Sequence, residues 1–427
     1  MANNSDDLTI GDHVLSPETL MLGYGYDPTL SEGSVKPPVF LTSTFVFRSA
    51  EDGRDFFDVV AGRKPVPQGR AGLVYSRFNH PNSEIIEDRL AIYEAGEGAL
   101  AFSSGMAAIT TAILATARPG DVILHSQPLY GGTETLLART LANFGILAHG
   151  FPDGGSEEAI HEAALQAGQR GRLSLILIET PSNPLNTLVD IAAVRAAAER
   201  VGAATGLRPL VLCDNTMLSP VFQQPLRHGA DLVMASLTKY IGGHSDLIGG
   251  AVIGSRALLQ PVRLLRSAIG TQLDPHSCWM VGRSLETLGV RVRAAAGNAA
   301  AVIRAMDAHP RIVAVHALGE GRGSDVVRRI YAAQCTGPGS TFGIEIAGGQ
   351  AEAFAVLNRL RLFKLAVSLG GTESLACHPA STTHSGVPAE LRARIGVTDG
   401  LIRLSIGLEN ETDLVADLTQ ALEVLKA

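Results

Sequence analysis

The chain has 427 residues, a net charge of -7, 46% hydrophobic and 18% charged residues. At roughly 100–200 residues per domain, this length fits two or three domains with sizeable cores. The composition excludes global disorder, and an acidic balance without a long basic run excludes nucleic acid or an anionic membrane as the main partner. Low charge leaves spare apolar surface, which favours an oligomer. The four cysteines, Cys213, Cys278, Cys335 and Cys377, lack metal or redox spacing, which points to reduced thiols in the cytoplasm. Met1-Ala-Asn-Asn-Ser-Asp-Asp7 is polar and acidic, unlike a signal peptide. No apolar run approaches the roughly 20 residues of a membrane span. The twelve histidines are scattered, so no metal site is expected.

In chain order, residues 1–79 read as an N-terminal arm with few periodic elements before about 75. Lys36-Pro-Pro-Val-Phe-Leu-Thr-Ser-Thr-Phe-Val-Phe47 is extended, because its prolines forbid helix. The segment from Ala61 to Gly72 is a loop by composition. An arm of this kind is expected to pack on another subunit. Tyr75-Ser-Arg77 closes it, with Arg77 either an anion ligand or a solvated charge. Ser83–Glu94 then predicts an amphipathic helix.

From about 95 to 250 strands and helices alternate, the sign of a mostly parallel sheet. Ala99–Phe102 is strand-like, and Ser103-Ser-Gly-Met106 opens a helix whose first N–H groups suit an anion. Asp121–His125 is the next strand, and Tyr130-Gly-Gly-Thr133 sits in the loop after it. Leu173–Ile178 runs into the polar Glu179-Thr-Pro-Ser-Asn-Pro184. Leu210–Cys213 delivers Asp214, a carboxylate that needs a partner at the end of a buried strand; Cys213 is a core residue.

The chemistry converges on Ala235-Ser-Leu-Thr-Lys-Tyr-Ile-Gly-Gly-His-Ser-Asp246. The preceding residues from Asp231 form a short strand, so Ser236, Thr238 and Lys239 fall at the carboxyl edge of the sheet, where ligands bind. A lysine with few charges around it is desolvated, and its amine becomes a usable Schiff-base nucleophile. Ser236 and Thr238 suit a phosphate. A domain boundary near 290 falls within a helical stretch from about 276 to 308. Residues 291–427 form a smaller domain with strands near Thr341–Ile346, Leu362–Val367 and Leu401–Ile406, and a helix from Asp413 to Lys426. Arg403 lies within an otherwise apolar strand, either bound to a carboxylate or in an internal ion pair.

A reactive lysine, phosphate donors, a tyrosine, a carboxylate and a buried arginine are the parts of a pyridoxal-phosphate site. Through Tyr75-Ser-Arg77, Ser103-Ser-Gly-Met106, Tyr130-Gly-Gly-Thr133, Pro181-Ser-Asn-Pro184, Asp214-Asn-Thr216, the Lys239 stretch, Ser368-Leu-Gly-Gly371, His378-Pro-Ala-Ser381 and Arg403-Leu-Ser-Ile-Gly407, the chain resembles the cystathionine γ-synthase/γ-lyase family. This Cys/Met-metabolism group includes methionine γ-lyase. The likeness runs from Lys36 to the C-terminus.

The resemblance implies an α/β fold of the type I pyridoxal-phosphate transferases, with residues 80–290 binding the cofactor. It implies that Lys239 carries pyridoxal 5′-phosphate as a Schiff base and shuttles protons. Tyr130 would stack on the ring, Asp214 hold its nitrogen protonated, and Asn183 lie near its phenolic oxygen. Gly105, Met106, Ser236 and Thr238 would cradle the phosphate, completed by Tyr75 and Arg77 of a neighbouring subunit in a homotetramer. Arg403 and the Ser368 backbone would bind the substrate carboxylate. Val74 and Val367 replace glutamates typical of cystathionine γ-lyases, and Gly132 replaces the cysteine usual in methionine γ-lyases. Asp274 and His276 alter a turn that either selects a side chain or is mere surface.

The expected activity is γ-elimination on a methionine-, homocysteine- or cystathionine-like L-amino acid. The alternatives are γ-replacement, a γ-lyase acting on a non-sulfur substrate such as canavanine and releasing homoserine, and a cofactor-binding scaffold without turnover.

Overall fold

The computed structural model describes residues 8–60, 63–64 and 72–425. The polar segment Met1–Asp7, most of the expected loop from Ala61 to Gly72, and Lys426 lie outside the described residues. Seven strands make the main sheet: β1 Gly98–Phe102, β2 Asp121–Gln127, β3 Leu147–Pro152, β4 Arg172–Glu179, β5 Leu210–Asp214, β6 Leu232–Ser236 and β7 Gly250–Gly254. Their spatial order is β1-β7-β6-β5-β4-β2-β3. All run parallel except β7, which is antiparallel to both of its neighbours.

The central strands are apolar on both faces, as a sheet covered by helices requires. In β4, Leu175 and Leu177 pack beneath helices Gly105–Thr116 and Arg256–Ile269. Their alternates Ile176 and Ile178 pack beneath Glu157–Gly168 and Ile191–Thr205. Each fully buried aliphatic side chain contributes roughly 1.5–3 kcal/mol. The register of β4 and β5 is therefore pinned from both sides, and it sets Glu179 directly beside Asp214.

A second sheet follows: β8 Ile312–His316, β9 Thr341–Ile346, β10 Lys364–Leu365, β11 Leu375–Cys377 and β12 Leu401–Ser405. Its order is β8-β9-β12-β11-β10. Helices Leu288–Asp307 and Glu411–Leu422 cover one face, where Ile402 and Leu404 of β12 join the core. Alternation sends the intervening Arg403 to the opposite face.

Three expectations are corrected. The arm contains an 11-residue helix, Ala50–Val60. Its start was signalled by Ser49, whose Oγ accepts from the Asp52 N–H at 3.2 Å, and by acidic residues in the first turn. The helix Pro81–Tyr93 is buried nearly all round rather than amphipathic. Its charged residues are paired inside: Glu87 with Arg266 at 2.6 Å, and Arg89 with the Tyr24 carbonyl at 3.0 Å. The stretch from 276 to 308 is two helices, Pro275–Leu285 and Leu288–Asp307, broken at Glu286-Thr287.

Candidate active site

The site forms at the carboxyl edge of β4, β5 and β6, roofed by the second sheet. After β6 the backbone kinks at Lys239, whose φ/ψ of -92°/-130° is not helical. The turn Ser368-Leu-Gly-Gly371 closes over it. Gly370 has φ +75°, and a Cβ there would lie 2.7 Å from the Tyr240 nitrogen, so only glycine permits this approach. The approach brings Ser368 Oγ to 3.0 Å from Lys239 Nζ. Burial pushes the Lys239 ammonium down to about 8, and the Arg403 charge adds to the effect.

Arg403 is almost fully buried. Its Nη2 donates to the carbonyls of Val367 at 2.8 Å and Ser368 at 3.0 Å, and its Nη1 donates to Asn183 Oδ1 at 3.1 Å. Its Nε is buried with no partner. The internal ion pair left open by the sequence is absent among the described residues: Arg403 bonds only neutral oxygens. Val367 stands exposed beside this guanidinium, whereas Val74 is buried where its carbonyl accepts from Phe45.

Asp214 is buried and bonded to Thr216, whose N–H it accepts at 2.9 Å; burial raises its pKa. Thr216 Oγ1 in turn accepts the Ser236 N–H at 2.9 Å. Glu179 beside it accepts backbone N–H groups from Tyr130 at 2.7 Å and Asn183 at 2.8 Å. Burial, then the Asp214 charge, pushes Glu179 well above the carboxylate range. No arginine or lysine bonds either carboxyl among the described residues, so the pair lacks a counter-charge. Tyr130 itself is 43% exposed at the mouth of the site.

The N-terminus of helix Gly105–Thr116 borders the same edge. Ser104 caps it by accepting the Ala107 N–H at 3.0 Å, leaving the N–H groups of Gly105 and Met106 at the free end. A Cβ at Gly105 would come within 3.3 Å of Ser236 Oγ, which places that hydroxyl at the helix start. Thr238 Oγ1 accepts from Gly249 N–H at 3.0 Å and donates to its carbonyl at 3.2 Å, fixing the turn.

The structure thus gathers Lys239, Ser236, Thr238, Gly105, Met106, Asp214, Asn183, Arg403 and Ser368 along one edge, with Tyr130 at the rim. It does not bring Tyr75 and Arg77 to them within the chain. Arg77 Nη1 donates to the Ser267 carbonyl at 2.5 Å, and its guanidinium lies over the rings of Tyr75 and Phe78. Asp274 caps the helix Pro275–Leu285 through Ser277 N–H at 3.0 Å, and His276 stacks on Trp279.

Sequence reasoning missed Glu179 and His384. The signal for Glu179 was the one used for Asp214, an acid ending a buried strand. His384 is buried, bonded at Nδ1 to Thr383 Oγ1 at 2.9 Å, and held down to about 4 by burial and the Arg403 charge.

Residues 18–423 match the model of the Cys/Met metabolism PLP-dependent enzymes. The chain belongs to this family. It is 39% identical to an L-methionine gamma-lyase of Pseudomonas putida over 95% of this chain and 96% of that one. It is 34% identical to a cystathionine gamma-lyase of Bacillus subtilis over 96% of this chain and 100% of the relative. Among solved structures, a cystathionine gamma synthase of Xanthomonas oryzae in complex with aminoacrylate and cysteine superposes with TM-score 0.84 at 35% identity, covering 96% of this chain and 98% of that one.

The cofactor of the family, pyridoxal 5′-phosphate, fits the residues present. The uncompensated carboxyl pair lacks the cation that a protonated pyridine nitrogen supplies. The free helix end beside Ser236 suits a phosphate, and the desolvated amine suits an aldehyde. Among the described residues, no group of side chains could hold a metal ion, and no helix is long and apolar enough to cross a membrane.

Proposed function

We propose that this enzyme eliminates the γ-substituent of an L-amino acid whose side chain is uncharged and methionine- or homocysteine-like. The observation that carries this reading is the Arg403 clamp 3.0 Å from the Ser368 carbonyl, with Lys239 Nζ 3.0 Å from the Ser368 hydroxyl and the apolar Val367 beside it. One end of that arrangement suits a carboxylate, the middle a proton transfer at Cα, and the far wall an apolar substituent. The similarity to L-methionine gamma-lyases supports it.

In this reading Arg403 orients the substrate through its α-carboxylate, drawing on its unpartnered Nε. Lys239, neutral above about pH 8, takes the proton from Cα and returns it to the carbon skeleton. Tyr130 handles the proton at the departing group. Asp214 would hold the ring nitrogen protonated, Asn183 would lie near the phenolic oxygen, and Gly105, Met106, Ser236 and Thr238 would hold the phosphate. Pyridoxal 5′-phosphate, when bound, supplies the electron sink. With one water consumed, the products are the thiol (hydrogen sulfide from homocysteine), 2-oxobutanoate and ammonia. Tyr75 and Arg77 complete the phosphate site from a neighbouring subunit of a homotetramer. We place the reaction in the cytoplasm, which four free, buried cysteines suit.

A second reading, γ-replacement on an O-acylhomoserine, is favoured by the similarity to a solved cystathionine gamma synthase. The deciding experiment incubates the holoenzyme with L-methionine, L-homocysteine, L-cystathionine, L-canavanine, or an O-acyl-L-homoserine with and without sulfide. Release of 2-oxobutanoate from a single sulfur amino acid is the expected result. Turnover only with an acylhomoserine plus sulfide or thiol would overturn it, and turnover of canavanine alone would move the substrate class.

A further inference from the structure

Among the described residues, Glu179 is the one buried acid at the sheet edge whose oxygens both bond loops that carry site residues. Its Oε2 accepts the Tyr130 N–H at 2.7 Å and its Oε1 accepts the Asn183 N–H at 2.8 Å. Its own N–H donates to Ser126 Oγ at 3.1 Å, so the strand end itself is fixed. Asn183 continues the chain of contacts, because its Oδ1 accepts Arg403 Nη1 at 3.1 Å. One carboxyl group therefore connects the tyrosine at the mouth of the site to the guanidinium of the second sheet.

We infer that Glu179 is a positioning residue, fixing Tyr130 relative to the Asn183–Arg403 clamp so that ring stacking and carboxylate capture are set by one side chain. The inference rests on the roles given above to Tyr130 and Arg403. The chemistry explains why an acid stands here. Two backbone donors converge from different loops, and each oxygen of a carboxyl, protonated or not, keeps a lone pair to accept one of them, whereas an amide nitrogen has none. Glutamine has the same shape but presents an NH2 to one of the two N–H groups. That leaves a buried donor facing a donor, a costly arrangement in a dry site. The loop so released carries either the tyrosine or the asparagine, and each touches a different function.

The test compares wild type with Glu179→Gln and Glu179→Asp as reconstituted holoenzymes. Three quantities are read: KM and kcat for L-methionine, the dissociation constant for glycine by spectral titration, and the visible circular dichroism of bound pyridoxal 5′-phosphate. Glu179→Gln is expected to lower kcat/KM about 10- to 100-fold. The glycine constant and KM rise together, and the dichroism weakens while cofactor absorbance is retained. Glu179→Asp, which keeps two acceptor oxygens but withdraws them, falls between. Unchanged KM, glycine binding and dichroism would overturn the inference. So would losses that follow only a lower Tm or lost cofactor, with the remaining holoenzyme like wild type. If Glu179→Gln does not fold, Glu179→Asp is judged by the same criteria. Wild-type turnover and glycine binding test the underlying reading separately, since only the ratio of variant to wild type bears on Glu179.

Discussion

The carboxyl edge of the main sheet and the N-terminal arm contribute to the same proposed site in opposite ways. At the sheet edge every residue is placed by the chain's own core. Register puts Glu179 beside Asp214, and a glycine turn lowers Ser368 onto Lys239. The arm is tied to the body by side-chain bonds: Lys36 to Glu286 at 2.6 Å, Trp279 Nε1 to the Pro37 carbonyl at 3.0 Å, and Asn82 to Pro38 and Phe40 at 2.8 and 2.9 Å. It leaves Val35, Leu41 and Val46 at 82%, 76% and 94% exposure. Arg77 bonds the Ser267 carbonyl and lies over the Tyr75 and Phe78 rings, away from any bond to the lysine site of its own chain. A core fixes its own polar groups, whereas exposed apolar residues on an arm are what the proposed neighbouring subunit would cover.

The largest break in this comparison comes from the sheet edge. Lys239→Ala removes the proton carrier, and turnover should fall by roughly 10²–10⁴-fold, measured as 2-oxobutanoate release. Arg403→Ala truncates a buried, hydrogen-bonded charge. The expected loss is roughly 2–5 kcal/mol, at least about 30-fold in kcat/KM, carried mainly by KM. Arg403→Lys should recover little, because an ammonium cannot fork between a carboxylate and Asn183.

The arm should matter less and in a different quantity. Arg77→Ala is expected to weaken cofactor affinity about 10- to 100-fold, the value of a charge-assisted bond to phosphate, with little change in KM at saturating cofactor. Mixed assemblies sharpen the contrast. Subunits carrying Lys239→Ala and subunits carrying Arg77→Ala, refolded together at limiting cofactor, should exceed the activity of either alone. Additive activities would show that each chain supplies its own Arg77.

Two pH effects are smaller. Cofactor capture by the apoenzyme requires the neutral amine of Lys239, so its rate should climb as pH rises through about 8. Glu94, which accepts Asn215 Nδ2 at 2.8 Å next to Asp214, is raised by burial from its usual 4.5 to about 8. A raised acid holds its proton in the folded state and releases it in the unfolded chain across that window. Its contribution is complete below 4.5 and lost as pH approaches about 8. Glu94→Gln stays neutral, so its Tm should decline less between those pH values than that of wild type.

Much of the sheet edge was legible in the sequence, because strand periodicity marks where each buried run stops and which residue follows it. Lys239 and Asp214 announced themselves as charges at such stops, and Arg403 as the polar interruption of an apolar alternation. Glu179 met the same criterion and was passed over because its partners are backbone N–H groups, one of them 49 residues away, which no side-chain motif records. The burial of helix Pro81–Tyr93 was hidden for a related reason: Glu87 and Arg89 look like a solvated face until Arg266 and the Tyr24 carbonyl arrive from distant parts of the chain. In the arm, Arg77 reads as a candidate anion ligand, but within its own chain it bonds the Ser267 carbonyl, and the proposed place beside a phosphate needs a second copy that a single sequence does not display. Asp274, whose altered turn left open either side-chain selection or mere surface, caps a helix, a role its Asp-Pro start already encoded.

The most direct measurement is borohydride reduction of the reconstituted enzyme followed by peptide mapping. The account predicts a pyridoxyl group fixed on Lys239 and absent from unreduced protein. A label on another lysine, or none despite bound cofactor, would contradict it.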